Sequence, residues 1–197
     1  MTRLTAALAV LLTAIAVSPA VAANDMSGGH PGMAEHNSIA LGFHDVAAPL
    51  GVRWWFAGQT IGLDAGFGLG SDKVPGTDES LRHWELDFGV PLLLKSWDRV
   101  HFIGRPGVAF GSEDVVTSVA PFAKDQETTV RVAAELEAEV FLADDITVSA
   151  SHGISWNSAN PPGPGDNLTS WGTFGNNFTE VGFHLYLWGP YTHATTR

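Results

Sequence analysis

The feature that most constrains this chain is an alternation of apolar and polar residues in its second half. From Val130 to Leu142 every even-numbered residue is apolar, and most odd-numbered residues are charged. Successive side chains of a β-strand point to opposite faces of the sheet, so this stretch predicts a strand with one apolar and one charged face. A soluble sheet buries its apolar face, whereas a small membrane barrel turns that face to the lipid and its charges to the lumen.

Eight stretches of this kind follow one another along the chain. They lie at 38–44, 51–56, 60–70, 81–94, 100–111, 130–142, 146–156 and 178–188. Short turns at 57–59, 95–99 and 143–145 alternate with long loops at 71–79, 112–127 and 157–177. An even-stranded barrel with both termini at the short-turn end produces this alternation. The sequence therefore predicts an all-β fold, an eight-stranded antiparallel up-and-down transmembrane β-barrel.

Aromatic residues collect near both ends of the predicted strands, as in the interfacial girdles of membrane barrels. Near the short-turn end these residues are Trp54, Trp55, Phe56, Trp97, Phe141, Tyr186 and Trp188. The aromatic residues of a soluble core need not collect at strand ends, so this placement favours the membrane interpretation.

The N-terminus has the order of features of a cleaved signal peptide. Arg3 precedes an apolar run at 5–17 that is too short to span a bilayer, and small residues at 20–22 follow it. We expect cleavage after Ala22, which defines a signal peptide at 1–22, a flexible lead-in at 23–37, a barrel at 38–188 and a polar tail at 189–197. The chain has no cysteine, so we expect no lipoprotein anchor.

The formal net charge of −11 indicates which classes of binding partner the chain can have. Nucleic-acid binding requires basic patches that neutralise phosphates, and this chain has none, so nucleic acid is not a predicted partner. Acidic residues concentrate in the predicted long loops. These loops can bind divalent cations that bridge lipopolysaccharide or a partner protein, although simple solvation is the favoured interpretation.

The charged faces of the predicted strands define a candidate site inside the barrel. Three arginines face seven carboxylates there, and the acid excess implies that some carboxylates are protonated, hydrated or cation-bound. Because the arginine fork suits carboxylates, we expect a salt-bridge network that fills a lumen too narrow for a channel. A proton or cation site, or a catalytic carboxylate pair, is the other interpretation. The predicted network comprises Arg53, Asp64, Glu85, Asp87, Arg105, Arg131, Glu135, Glu137, Glu139 and Glu180.

Particular stretches also resemble a known family. Residues 51–56, 62–68 and 182–188 are similar to strands of the small eight-stranded bacterial outer-membrane barrel proteins, of the outer membrane protein beta-barrel domain type. The resemblance covers 38–188 and implies a monomer in the outer membrane of a Gram-negative bacterium, in contact with lipid and lipopolysaccharide. It also implies that the barrel assembly machinery recognises the closing strand, although nine residues follow Trp188 and depart from the family pattern.

Some barrels of this size are enzymes that act on lipid A, and one such deacylase resembles this chain around His152 and Ser155. These residues lie three apart on a regular strand, hence on opposite faces, and a bulge at Gly153 is needed to bring them together. We therefore predict no catalytic residue, metal site or cofactor. The lone histidines are expected to form hydrogen bonds in the lumen; they are His83, His101 and His184.

The predicted function is that of a non-enzymatic outer-membrane barrel, structural or interacting through its acidic surface loops. One alternative is a soluble periplasmic up-and-down barrel that binds a ligand in an apolar cavity. A second is a lipid A-modifying enzyme. The orientation of Glu135, Glu137 and Glu139 separates the first two, since these side chains point outward in a soluble barrel and inward in a membrane barrel.

Overall fold

The structure of the chain, a computed structural model, is built from β-strands and their connections. It describes residues 38–56, 60–97, 99–119, 122–163, 167–173 and 179–187. The predicted signal peptide, lead-in and polar tail lie outside these residues. No helix in the described part of the chain combines the length and apolar character that crossing a membrane requires.

Ten strands form one antiparallel sheet that closes on itself. They are β1 (Ser38–Phe43), β2 (Leu50–Trp55), β3 (Gly62–Lys73), β4 (Ser80–Gly89), β5 (Leu92–Trp97), β6 (Val100–Val119), β7 (Phe122–Phe141), β8 (Ile146–Asn160), β9 (Leu168–Gly172) and β10 (Thr179–Tyr186). β4 and β5 both pair with β6, as successive halves of one barrel strand, and β9 and β10 likewise both pair with β8. β10 also pairs with β1, which closes the barrel. The result is eight antiparallel strands in up-and-down order, which confirms the predicted fold class.

The strand predicted at 81–94 is interrupted at Val90 and Pro91. Proline has no N–H to donate to a ladder, so a strand tolerates it at a margin or a break. Around the break the ladder continues irregularly: the Val90 N–H donates to the Pro106 carbonyl at 2.9 Å, and the Pro91 carbonyl accepts from the Gly62 N–H at 2.9 Å. β5 then runs on to Trp97, through most of the turn predicted at 95–99.

The loop predicted at 112–127 is wrong. β6 and β7 continue there as a long hairpin, with pairing from Ser112 opposite Thr128 to Val116 opposite Lys124. This hairpin runs past the closed part of the barrel, where both faces of its strands meet water, so they need no apolar–polar alternation. For this reason the charged residues of this segment, which lack alternation, predicted a loop. The loop predicted at 157–177 is wrong in part for the same reason, since β8 extends to Asn160 and β9 pairs with it.

An apolar floor closes the short-turn end of the lumen. The floor consists of Ala40, Trp55, Leu93, Ile103, Phe141 and Tyr186. The Trp55 indole N–H donates to the Tyr186 hydroxyl at 3.1 Å, so the polar atoms of these two rings are paired inside the floor. The placement of Trp55, Phe141 and Tyr186 in a lipid-facing girdle is therefore wrong, because all three point into the barrel.

The connection between β1 and β2, residues 44–49, folds into the barrel at its long-loop end. Asp45 shapes the connection, since its carboxylate accepts from the Ala47 N–H at 2.8 Å and its carbonyl accepts from the Ala48 N–H at 3.1 Å. Ala48 is buried against the inner face of β3. We call this segment the inner loop. Glycines on β3 leave the room that it occupies, so they serve close packing rather than a turn.

Gly68 makes the closest approach to the inner loop and provides a test of its docking. A Cβ at Gly68 would lie 1.9 Å from the Ala47 carbonyl oxygen, so Gly68→Ala must displace the backbone of the inner loop. Overpacking of this kind typically costs about 1–3 kcal/mol. We expect Gly68→Ala to lower the unfolding midpoint in detergent micelles. Gly104→Ala is the matched control, because its nearest neighbour would lie at an ordinary 3.4 Å; equal midpoints for the two variants would contradict the docked loop.

Candidate functional site

The lumen above the apolar floor is filled with charged side chains. All ten residues of the predicted network lie inside the barrel, and eight of them are almost completely buried: Arg53, Asp64, Asp87, Arg105, Glu135, Glu137, Glu139 and Glu180. Arg131 and Glu85 lie nearer the long-loop end and keep some solvent contact. The strand alternation explains this placement, because every one of these residues occupies an inward position of its strand.

Arg53 on β2 is the centre of the lower part of the network, which is the part nearest the apolar floor. Its guanidinium binds the carboxylate of Asp64, its cross-strand neighbour, through two hydrogen bonds of 2.9 Å. Two further hydrogen bonds of 2.9 Å reach Glu137, which projects from β7 on the opposite wall. Glu139 lies 3.4 Å from the same guanidinium. Paired, two-pronged contacts of this kind are the strong form of the arginine–carboxylate interaction.

Arg105 on β6 forms the middle part of the network. It donates to Asp64 at 2.9 Å, to Glu135 at 3.4 Å and to Asp87. Asp64 therefore bridges Arg53 and Arg105, and the two arginines belong to one connected set of charges. Removing any one member leaves another charge of this set without its partner in a buried place.

Arg131 on β7 connects the upper part of the network, which is the part nearest the long-loop end. It contacts Asp45 of the inner loop, and it lies 3.3 Å from Glu85 on β4 and 3.3 Å from Glu180 on β10. This arginine thus ties the inner loop to three walls of the barrel. Asp45 was absent from the predicted network, because it follows β1 in a segment whose sequence predicts a solvated loop.

His44 of the inner loop is the second member that sequence reasoning missed. Its Nε2 atom lies 2.8 Å from Glu135 Oε2 and 3.1 Å from Glu180 Oε2, and its Nδ1 atom lies 3.4 Å from Glu137 Oε2. The imidazole is therefore surrounded by carboxylates from two strands. The only sequence signal was indirect: the inward glycines of β3 indicated scarce space without showing which segment fills it.

Two of the three predicted lumen histidines lie in the lumen beside Glu139. Their Nδ1 atoms are 3.8 Å (His101) and 3.5 Å (His184) from that carboxylate. Glu139 also accepts hydrogen bonds from the hydroxyls of Thr147 at 2.8 Å and Tyr186 at 3.2 Å. The prediction for His83 is wrong, since half of its side chain is exposed and its nearest acid is Asp72 at 3.7 Å.

The part of the lumen around the ion pairs leaves little free volume. The cavity beside His44, Asp64, Asp87 and His184 has a volume of about 10 Å³. A buried water needs roughly 10–15 Å³ of such volume, so this space holds at most one water molecule. A larger and more open cavity of about 390 Å³ lies at the long-loop end, where the inner loop faces Glu85 and Ser112.

The serine–histidine pair considered for hydrolysis does not assemble. Ser155 is buried on the inner face of β8, while His152 is exposed on the outer face. The pairing of β7 with β8 runs without a register shift past Gly153, so no bulge redirects either side chain. A serine nucleophile needs its histidine base within hydrogen-bond reach, and this pair lacks that geometry.

Comparison with known proteins gives one structural similarity. No protein-family model and no curated protein sequence matches the chain. Among solved structures, the chain is similar to Ail, the attachment invasion locus protein of Yersinia pestis, with 14% sequence identity and a TM-score of 0.39. The similarity covers 76% of this chain and 93% of Ail. The barrel itself is defined by the closure of β10 on β1 and β8.

Proposed function

We propose that this chain is a non-enzymatic barrel protein of a bacterial outer membrane, structural or interacting through its acidic surface loops. One observation carries the proposal: the polarity of the barrel is inverted relative to that of a soluble protein. On β7 the side chain of Leu136 is 53% exposed on the outside, while that of Glu137 beside it is completely buried. Apolar positions outside and charged positions inside are the pattern of a transmembrane barrel.

The outer surface continues this pattern around the barrel. Large apolar side chains are exposed on β1 to β5, β7, β8 and β10, among them Leu41, Trp54, Leu63, Phe88, Ile154, Val181 and Leu185. An apolar surface of this extent on a monomeric protein in water would be an aggregation hazard. In a bilayer the same surface is solvated by acyl chains, so the membrane gives these side chains their favourable environment.

The two alternative functions have less support. A soluble ligand-binding barrel needs an apolar cavity. Around the ion pairs the lumen is charged and has a cavity of about 10 Å³, and the larger cavity at the long-loop end is lined in part by His83, Glu85 and Glu113. A lipid A hydrolase acting through Ser155 and His152 needs both side chains on one face of β8, and they lie on opposite faces.

The β6–β7 hairpin is the most prominent acidic feature at the long-loop end. Asp114 accepts a hydrogen bond of 2.8 Å from the Lys124 ammonium across the hairpin, and Lys124 also donates to the Ser80 carbonyl. The hydrogen bond from Lys124 lowers the pKa of the Asp114 carboxyl, which keeps it ionised. Glu113 and Asp125 are exposed beside this pair. A hairpin fixed in this way presents negative charge to lipopolysaccharide-bridging cations or to a protein partner.

Insertion by the barrel assembly machinery belongs to the same proposal. β10, the closing strand, alternates exposed Val181, Phe183 and Leu185 with buried residues up to Tyr186. The family's terminal aromatic residue corresponds to Trp188, which lies outside the described residues.

Cell fractionation tests the location. We expect the mature protein in the outer-membrane fraction, extractable only with detergent, with a folded form that migrates differently from the boiled form on a denaturing gel. We also expect its first residue to be Ala23, as N-terminal sequencing can establish. Recovery of the protein in the periplasm without detergent would instead favour the soluble barrel.

A further inference from the structure

Inside the barrel, carboxylates from two different strands approach one imidazole nitrogen of the inner loop. His44 comes from the inner loop, Glu135 from β7 and Glu180 from β10. One potential ligand atom from each residue lies within 4.8 Å of those of the other two. His44 Nε2 is 2.8 Å from the Glu135 oxygen and 3.1 Å from the Glu180 oxygen. All three residues are buried.

One of these donor atoms has no hydrogen-bond partner. Glu180 Oε2 is buried without one, on a side chain that is 95% buried (5% exposed). An imidazole nitrogen carries at most one proton, so His44 Nε2 serves a single carboxylate oxygen, and its hydrogen bond goes to Glu135. A carboxylate oxygen left unpaired in a buried place is costly unless another cation binds it.

The surrounding contacts hold these three donor atoms towards one point. Arg131 lies 3.3 Å from Glu180 Oε1 and Arg105 lies 3.4 Å from Glu135 Oε1, so each arginine takes the outer oxygen of its carboxylate. Ser151 donates to Glu135 Oε2 at 3.0 Å. These contacts leave the Oε2 atoms of both carboxylates directed at His44.

The opposite nitrogen of His44 also has a partner of the appropriate kind. His44 Nδ1 lies 3.4 Å from Glu137 Oε2. Metal-bound histidines usually donate their second ring N–H to a carboxylate, which fixes the tautomer that leaves the other nitrogen free to bind the metal. Arg53 Nη2 lies 3.5 Å from the same nitrogen and can only donate to it, so the tautomer in which Nε2 is the ligand requires Nδ1–H to donate to Glu137 instead.

The charge balance of the lumen favours an added cation. The three lumen arginines face eight carboxylates once Asp45 of the inner loop joins the seven predicted ones. A divalent cation between His44, Glu135 and Glu180 would offset two further negative charges at the point where the unpaired oxygen lies.

We infer that His44, Glu135 and Glu180 form a binding site for a divalent transition-metal cation of the zinc class. One imidazole nitrogen and two carboxylate oxygens suit zinc, whose bonds to such ligands are about 2.0–2.2 Å long. A tetrahedral site with these bonds places its ligands about 3.3 Å apart, close to the separations of 2.8 and 3.1 Å found here. The bound cation ties the inner loop to β7 and β10, and so closes the lumen on its long-loop side.

Refolding with zinc provides the test. The mature chain is refolded into detergent micelles with Zn²⁺, free metal is removed, and the retained metal is quantified by atomic spectroscopy. We expect one equivalent of zinc for the wild type and its loss in Glu180→Gln and His44→Gln. Ser151→Ala removes a hydrogen bond to a ligand and is expected to weaken binding by about 10–100-fold. His83→Gln, at an exposed histidine, is the control that retains the full equivalent.

X-ray absorption of the zinc-loaded wild type keeps the test decisive when a ligand variant does not fold. The expected spectrum has one imidazole and otherwise oxygen ligands. Two or more imidazoles would place the metal elsewhere, for example among the histidines of residues 23–37, and would overturn the inference. Absence of retained zinc in the folded wild type would overturn it as well, as would full retention in both Glu180→Gln and His44→Gln.

Discussion

Arg53→Ala should lower the free energy of unfolding by about 3–5 kcal/mol, the typical effect of breaking a buried ion pair by removing one partner. Arg53 is completely buried and forms four hydrogen bonds of 2.9 Å to Asp64 and Glu137, with Glu139 at 3.4 Å. Its loss leaves these carboxylates facing one another with less positive charge between them. The barrel can relieve the repulsion only by protonating them or by admitting water, and both disrupt the filled lumen.

Equilibrium unfolding by denaturant in detergent micelles measures this effect, with Arg99→Ala as the matched control. Arg99 is exposed beside the turn between β5 and β6, so its removal should change the unfolding midpoint little. Arg53→Lys should fall between the two, because lysine keeps the charge but cannot form the two-pronged contacts. Equal midpoints for Arg53→Ala and Arg99→Ala would show that the lumen pairs contribute nothing to stability.

The inward positions of this network were predictable because strand alternation is a local property of the sequence. Once β7 is recognised as a strand, the parity of each residue number decides its face, and Glu135, Glu137 and Glu139 fall together on one side. The same rule carries Arg53, on β2, to the lumen. Assigning these side chains to the lumen needs no long-range information. Assigning each arginine to its carboxylates does need it, because the partners lie on different strands.

The inner loop shows where this reasoning fails. His44 and Asp45 follow β1 in a segment with Pro49 and no alternation, and the local chemistry of that segment resembles that of any solvated connection. Its direction is set by the room left on β3, which the sequence records only as glycines such as Gly68. His44 and Asp45 therefore join the network through tertiary packing, which periodicity does not reveal.

The aromatic residues at the short-turn end show a second limit. Their position along the strand was clear from the sequence, but position does not decide whether a ring faces lipid or lumen. Trp54 and Trp55 are adjacent and point to opposite sides, so one lies on the outer surface and the other completes the floor. Strand alternation does separate these two residues, since it puts Trp55 on the same face as Arg53 and Trp54 on the face of Val52; their assignment to one girdle used only their position along the strand.

Leu136→Arg should impair insertion into a bilayer, because arginine on the lipid face of a barrel costs about 2–4 kcal/mol at the bilayer midplane. Leu136 lies near the middle of the apolar stretch of β7, and its side chain is 53% exposed on the outside of the barrel. Folding into lipid vesicles, followed by denaturant titration, measures the loss. Leu168→Arg is the control. Leu168 is 64% exposed on β9, and it lies opposite Ala159, in the part of β8 that continues beyond the apolar stretch.

A fluorescent probe distinguishes lipid contact from a general loss of stability, and the absence of cysteine makes single-site labelling straightforward. A probe attached at Leu136→Cys should be quenched by brominated lipids and protected from aqueous iodide. A probe at Leu168→Cys should show the reverse, because its strand lies outside the bilayer. Since the Leu136 side chain already faces outward, a small label there leaves the filled lumen intact. If the labelled barrel folds and its Leu136 probe responds only to iodide, the apolar outer surface does not face lipid, and the proposed outer-membrane location is wrong.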